Sequence, residues 1–146
     1  MKTTFLAILL SLGLSAAPHV QEAQQNVSIT VHNIRSEKGM IRIGVYDQAD
    51  TFNKEAVSTH AFPKTGIQNG ELKCQLKLGP GRYAFSLLDD ENGDNEMNYN
   101  FVGVPTEGFG FSRDAKINFM SPPEFESCVL QVKEGQHNWR IKVRYF

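Results

Sequence analysis

Hydrophobic residues occupy every second position in several segments of the chain after residue 26. The clearest are residues 27–31, 41–45, 72–78 and 139–145. A period of two is typical of β-strands that bury one face. Polar or glycine-containing stretches separate these segments, and we interpret three connections, at residues 35–39, 79–82 and 134–136, as hairpin turns. The pattern predicts an all-β fold: a single antiparallel β-sandwich of about seven strands, Ig-like or prealbumin-like. Pro63 predicts an edge strand in the middle of the chain.

The first 25 residues do not alternate. Lys2 precedes an apolar run from Phe5 to Leu14, and the small residues of 15–17 follow. This layout is typical of a secretory signal peptide, and the run is too short to span a bilayer. We therefore predict a signal peptide at 1–17, a tether at 18–25 and a β-sandwich domain at 26–146. The expected location is the periplasm, the cell surface or the medium, with no transmembrane segment in the mature protein.

Composition and charge narrow the range of functions. The chain has 146 residues, 40% of them hydrophobic, which suits one packed core. Fifteen Lys and Arg residues against 16 Asp and Glu give a formal charge of -1, so no basic field favours nucleic acid. Cys74 and Cys128 both lie in alternating runs. The sequence leaves open whether they form a disulfide or two buried free thiols, because alternation does not fix the distance between the sulfur atoms.

The acidic stretch "LLDDENGDNEMNYN", residues 87–100, interrupts the alternation. Oxygen-bearing side chains recur there at every second position and form a candidate metal site: Asp90, Asn92, Asp94, Glu96 and Asn98. Calcium takes six to eight oxygen ligands, and a curled loop can present alternate side chains to it. Numerous ligands and a flexible loop favour calcium over magnesium.

Two positions depart from the helix-loop-helix calcium signature. Asn95 stands where glycine is usual, although asparagine tolerates the same left-handed backbone. Phe101 stands where a bidentate glutamate is usual, so Glu107 or Asp89 would have to complete the ligand shell. The alternative interpretation is a solvated turn, in which Asp and Asn are common because they bond their own backbone.

A second candidate site is the long segment from Phe101 to Phe111. Long loops without alternation are often functional, and Phe101, Phe109 and Phe111 could form an aromatic ligand-binding surface. The alternative is that these rings cover the open end of the sandwich.

No set of residues in the sequence indicates catalysis. His32, His60 and His137 lack metal-ligand spacing. Asp89 and Asp90 are adjacent and should point to opposite faces of a strand. We therefore expect a protein that is not an enzyme.

Four blocks of the chain, taken together, resemble the secreted bacterial proteins of Domain of Unknown Function family 2141. These blocks are "ITVHNIRSEKGMIRIGVYD", "LGPGRYAFSLLDDENGD", "NFVGVPTEGFGFS" and "PPEFESCVL". The resemblance implies a prealbumin-like sandwich, similar to collagen-adhesin B-type repeats. The acidic loop of the family commonly resembles D-E-N-G-N-G-K-x-D. In this chain, Asn95 replaces the second glycine of that pattern and Asn98 replaces its final aspartate. The resemblance implies no particular activity.

The sequence therefore predicts an exported, non-enzymatic binding or accessory module, with calcium as a candidate stabilising ion and no other cofactor. The partner would be a protein or a small ligand of the cell envelope. The alternative function is a carrier for a carbohydrate or a lipid that uses residues 101–111.

Overall fold

The computed structural model describes residues 23–117 and 121–146. The predicted signal peptide at 1–17 lies outside the described residues, as does most of the predicted tether. The described chain forms eight strands, one short α-helix and two 3-10 turns at Lys64–Gly66 and Ser112–Asp114. The strands and the α-helix are β1 Gln25–His32, β2 Met40–Tyr46, β3 Ser58–Pro63, β4 Leu72–Leu78, β5 Gly81–Asp90, β6 Gly108–Phe111, α1 Phe125–Cys128, β7 Leu130–Val132 and β8 His137–Lys142. No helix in this part of the chain is long and apolar enough to cross a membrane.

The strands form two sheets, as the alternation predicts for a sandwich. One sheet has the order β4-β1-β8, and the other has the order β3-β2-β5-β6 with β7 paired to the start of β5. Most pairs are antiparallel, but β1 and β8 run parallel. The all-β sandwich is thus confirmed, with one parallel pair that the alternation could not reveal. The strand that contains Pro63 lies at a sheet edge, as predicted.

All three predicted hairpins are wrong, because the strands they would join do not pair with each other. β1 and β2 lie in different sheets, and so do β4 and β5. β7 pairs with β5, whereas β8 pairs with β1. Each turn carries the chain from one sheet to the other, so that consecutive strands face each other across the core. A period of two fixes which face is buried but not which strand is the neighbour.

The main core lies between the sheets. It includes Val27, Ile29 and Val31 of one sheet and Ile41, Ile43 and Val45 of the other. None of these side chains has exposed surface. Burial of alternate residues on both inner faces is the basis of sandwich stability.

A second cluster covers the outer face of the five-stranded sheet. It contains Tyr46, Phe52, Ala84, Phe125 and Cys128. Cys74 lies in the main core instead, and both cysteines are free and buried. The structure therefore favours two free thiols over a disulfide.

Candidate functional site

The end of β5 divides two adjacent carboxylates between opposite sides of the sheet. Asp89 and Asp90 are both fully buried, and their side chains diverge because successive residues of a strand alternate. Asp89 forms an ion pair with the buried Lys64 and accepts a hydrogen bond from the Tyr145 hydroxyl at 2.5 Å. Burial and this hydrogen bond raise the pKa of Tyr145. Asp89 is therefore occupied and does not complete a cation site with Asp90.

Asp90 anchors the acidic loop, which we define as residues 90–98. Its Oδ2 accepts from Arg42 Nε at 2.5 Å and from the Asn95 backbone N–H at 3.2 Å, while its Oδ1 accepts from the Gly93 N–H at 2.7 Å. The ion pair with Arg42 balances the buried charge. Gly39, at a φ of +75°, packs against the Asp90 carbonyl, where a larger residue would collide with the backbone.

The loop curls through a series of side-chain to backbone hydrogen bonds. Asn92 Oδ1 accepts from the Asp94 N–H at 3.0 Å, and Asp94 Oδ1 accepts from the Glu96 N–H at 2.9 Å. Asn95 has a φ of +70°, which confirms that asparagine here adopts the left-handed conformation. Glu96 itself is exposed. The local bonding is thus the kind that Asp and Asn form in turns.

Three of the five predicted ligands meet within the curl. Asp94 Oδ2 accepts hydrogen bonds from Asn92 Nδ2 and Asn98 Nδ2, each at 2.9 Å, and Asn92 Nδ2 also reaches Asn98 Oδ1 at 2.6 Å. The Asn98 amide is the largest of several donors that lower the pKa of Asp94. The loop therefore concentrates an ionised carboxylate and two amides at one point.

Glu107 folds back against the acidic loop from the far end of the following segment. Its Oε1 accepts from the Glu91 N–H at 3.0 Å, and its Oε2 accepts from the Asn98 N–H at 3.4 Å. The side chain is 5% exposed. Of the two carboxylates that the sequence offered to close the loop, Glu107 is the one that faces it.

A cleft of about 400 Å³ opens beside these groups, and its lining residues include Lys38, Asn92, Asn98 and Glu107. Glu91 borders it too. Arg35 contacts both Glu91 oxygens, at 2.5 to 3.2 Å, and Ser36 donates to the same carboxylate at 2.6 Å. The hydrogen bonds from Arg35 are the main reason why the pKa of Glu91 is lowered to about 2.

The family model for uncharacterised proteins conserved in bacteria, DUF2141, matches residues 29–140 of the chain. The chain belongs to this family. The matched range covers most of the sandwich and the whole acidic loop, so the resemblance found in the sequence is confirmed. Neither a curated protein nor a solved structure matches this DUF2141 chain significantly.

Within the described ranges of this DUF2141 protein, no group of three or more His, Cys, Asp or Glu side chains is placed to hold a metal. The convergence at Asp94 consists of one carboxylate and two asparagine amides. A cation in the loop would therefore depend on amide oxygens and backbone carbonyls as well as on carboxylates.

The aromatic surface predicted from Phe101, Phe109 and Phe111 does not form as one patch. Phe109 is buried and packs against Phe146 at 5.7 Å between ring centroids, and Phe111 is half-buried against Phe52 at 6.2 Å. These two rings therefore belong to the packed body of the protein. Phe101 alone of the three is fully exposed.

Phe101 lies within a compact turn, residues 99–105, that we call the tip. A bridge between Tyr99 and Pro105 closes its base. The sequence did not single out this turn, nor the basic partners of the nearby carboxylates, Arg35, Arg42 and Lys64. Those partners come from strands or loops distant in sequence, and only the pairing of β2 with β5 and β3 reveals them.

Proposed function

We propose that this DUF2141 protein is an exported, non-enzymatic binding module whose acidic loop binds calcium. The observation that carries the proposal is the convergence of Asn92, Asp94 and Asn98 in a curled loop that Glu107 closes. Export and the absence of catalysis are predictions from the sequence.

The chemistry of the loop suits a hard cation. Two side-chain amide N–H groups donate hydrogen bonds to Asp94 Oδ2. They place partial positive charge beside this ionised carboxylate. A half-turn of the Asn92 and Asn98 amides would present oxygen in place of nitrogen at the same point. A calcium ion could then take these oxygens, Asp94 and backbone carbonyls of the loop as ligands.

The hydrogen bonds that already curl the loop reduce the cost of binding. The Gly93, Asn95 and Glu96 N–H groups are held by the carboxylates of Asp90 and Asp94, so little backbone freedom remains to be lost. Arg42 acts in the opposite direction, because it neutralises Asp90 and so weakens its attraction for a cation. We therefore expect weak binding, with a dissociation constant on the order of 10⁻⁴ to 10⁻³ M, as in extracellular calcium modules.

Thermal melting with calcium and with a chelator tests the proposal. At about 5 mM calcium and a dissociation constant near 0.5 mM, linkage gives roughly 1.4 kcal/mol of stabilisation. For a domain of this size that corresponds to a rise in Tm of about 5 °C. Magnesium at the same concentration should raise Tm less, because it prefers a smaller and more rigid octahedral shell.

Two variants sharpen the test. Asp94→Ala removes the carboxylate at the centre of the convergence and should abolish the calcium-dependent rise. Asp50→Ala removes an exposed carboxylate from the loop between β2 and β3 and should leave the rise intact. An unchanged Tm for the wild type at millimolar calcium would refute the proposal.

The carrier function is supported only by the cleft beside the acidic loop. The residues that line it, Ser36, Lys38, Glu91 and neighbouring amides, carry polar groups, which suits a carbohydrate better than a lipid. Native mass spectrometry of the protein purified from its host tests this alternative, since a carrier should retain a co-purifying mass.

A further inference from the structure

The tip concentrates exposed apolar surface. Among the described residues, the large hydrophobic side chains that are exposed include three within four consecutive positions: Tyr99 at 60%, Phe101 at 99% and Val102 at 60%. Isolated exposed hydrophobic residues are common, but a contiguous group of this kind marks an interaction site.

Four backbone N–H groups of the tip are hydrogen-bonded within it. Asn100 Oδ1 accepts from the Val102 and Val104 N–H groups at 3.0 Å each. The Asn100 N–H donates to the Val104 carbonyl, and the Gly103 N–H donates to the Asn100 carbonyl, both at 2.9 Å. Polar backbone groups that are already paired cost little to remove from water. These four N–H groups therefore do not oppose entry of the tip into an apolar phase.

The acidic loop braces the tip. The Asn98 carbonyl accepts from Thr106 N at 2.9 Å and from Thr106 Oγ1 at 3.2 Å. Glu107 in turn holds the Asn98 N–H. Because Asn98 also belongs to the convergence at Asp94, an ion bound there would stiffen the base of the tip.

Size and charge indicate what the tip binds. No charged residue occurs from Met97 to Thr106. Three such side chains offer roughly 400 Å² of surface, about half of what one partner contributes to a stable protein interface. The adjoining surface is acidic at the exposed Asp94 and Glu96, whereas Glu91 is paired with Arg35. A bilayer, unlike a protein partner, can accept a small apolar projection without contacting the surface around it.

We propose that the tip inserts Phe101 and Val102 into the interfacial region of a lipid bilayer, with Tyr99 at the level of the headgroups. This inference names the partner of the proposed binding module and rests on that function. Aromatic residues favour the membrane interface because their rings are apolar and their edges or hydroxyls are polar. The acidic loop should repel anionic lipids, so calcium should strengthen binding to them most.

Vesicle co-flotation tests the proposal with the full mature chain. The vesicles are phosphatidylcholine alone, or phosphatidylcholine with phosphatidylglycerol, at millimolar lipid, each with calcium or with chelator. We expect the wild type to float with phosphatidylcholine vesicles in both conditions, and calcium to increase its flotation with the mixed vesicles. Phe101→Ser with Val102→Ser should reduce the bound fraction about tenfold or more, since it removes the inserted apolar surface.

Val57→Ser is the matched control, because Val57 is 59% exposed on a different loop. It should float like the wild type. A second readout uses Phe101→Trp and Val57→Trp, each in a Trp139→Phe background. Brominated lipids should quench the tryptophan at 101 and leave the one at 57 unquenched.

Several outcomes would overturn the inference. These are no flotation of the wild type with either vesicle, equal flotation of the doubly substituted tip, or quenching at both tryptophans. A dimer in light scattering that the tip substitutions abolish would assign the tip to a second copy of the chain instead. Failure here with a normal calcium-dependent rise in Tm would leave the calcium site intact, whereas flotation without that rise would refute only the calcium site.

Discussion

Replacing Glu107 by glutamine tests whether this side chain holds the acidic loop and the tip together. The substitution keeps the size of the side chain but removes its charge and converts one accepting oxygen into an amide. Glu107 is 5% exposed and accepts from the Glu91 and Asn98 N–H groups. Glutamine can still accept from one of these groups, but it must turn a donor toward the other.

The expected loss of stability follows from these contacts. A hydrogen bond to a charged group contributes about 1.5 to 3 kcal/mol, and a buried donor left without an acceptor costs a similar amount. One of the two bonds is lost and the other becomes neutral. We therefore expect Glu107→Gln to lower the free energy of unfolding by about 2 kcal/mol, which corresponds to a decrease in Tm of roughly 6–10 °C.

Urea unfolding monitored by the fluorescence of Trp139, the single tryptophan, measures this loss. Glu126→Gln is the matched control, since Glu126 pairs with Arg82 while 66% of its side chain is exposed. Exposed pairs contribute little, so the control should cost less than about 1 kcal/mol. If Glu107→Gln were no more destabilising than Glu126→Gln, the structural role assigned to Glu107 would be wrong.

Three further predictions follow from buried and partly buried groups. Lys64→Met should lower the free energy of unfolding by about 3–5 kcal/mol in urea titrations, because it leaves Asp89 buried without its cation; adding Asp89→Leu should recover part of this loss. The pKa of Glu91, lowered to about 2 by Arg35, makes this pair stabilising above about pH 4.5. That contribution, about 1 kcal/mol because Arg35 is 44% exposed, should be lost as the pH falls toward 2, and Glu91→Gln should remove it from the pH profile. Burial raises the pKa of Cys74 to about 12, so its thiol should resist alkylation in the native protein and react after unfolding, as read by mass spectrometry.

Alternation was sufficient to predict the class of fold. It placed the core residues of β1 and β2 correctly because each strand buries one face. It could not predict strand pairing, since a hairpin and a crossing between sheets leave the same pattern in sequence. β6 was missed for a different reason. At Gly110 a methyl group would lie 2.5 Å from the Lys142 carbonyl oxygen, so this position of the strand requires glycine. Without a side chain there, the alternation that identifies a strand in the sequence is lost.

The candidate site was predicted in its composition but not in its contacts. The spacing of the acidic loop identified the side chains that meet at Asp94, and Glu107 was one of two carboxylates named to close it. Asp90 was expected to be free for a cation, whereas Arg42 occupies it. That ion pair depends on the register of β2 against β5, which brings residues 48 positions apart into contact.

The central claim is that the acidic loop binds calcium, and isothermal titration calorimetry of the mature protein tests it most directly. The account predicts one calcium per chain, with a dissociation constant on the order of 10⁻⁴ to 10⁻³ M for the wild type and for Asp50→Ala. Asp94→Ala should show no binding heat above dilution. Absence of saturable binding to the wild type, or unchanged binding to Asp94→Ala, would contradict the account.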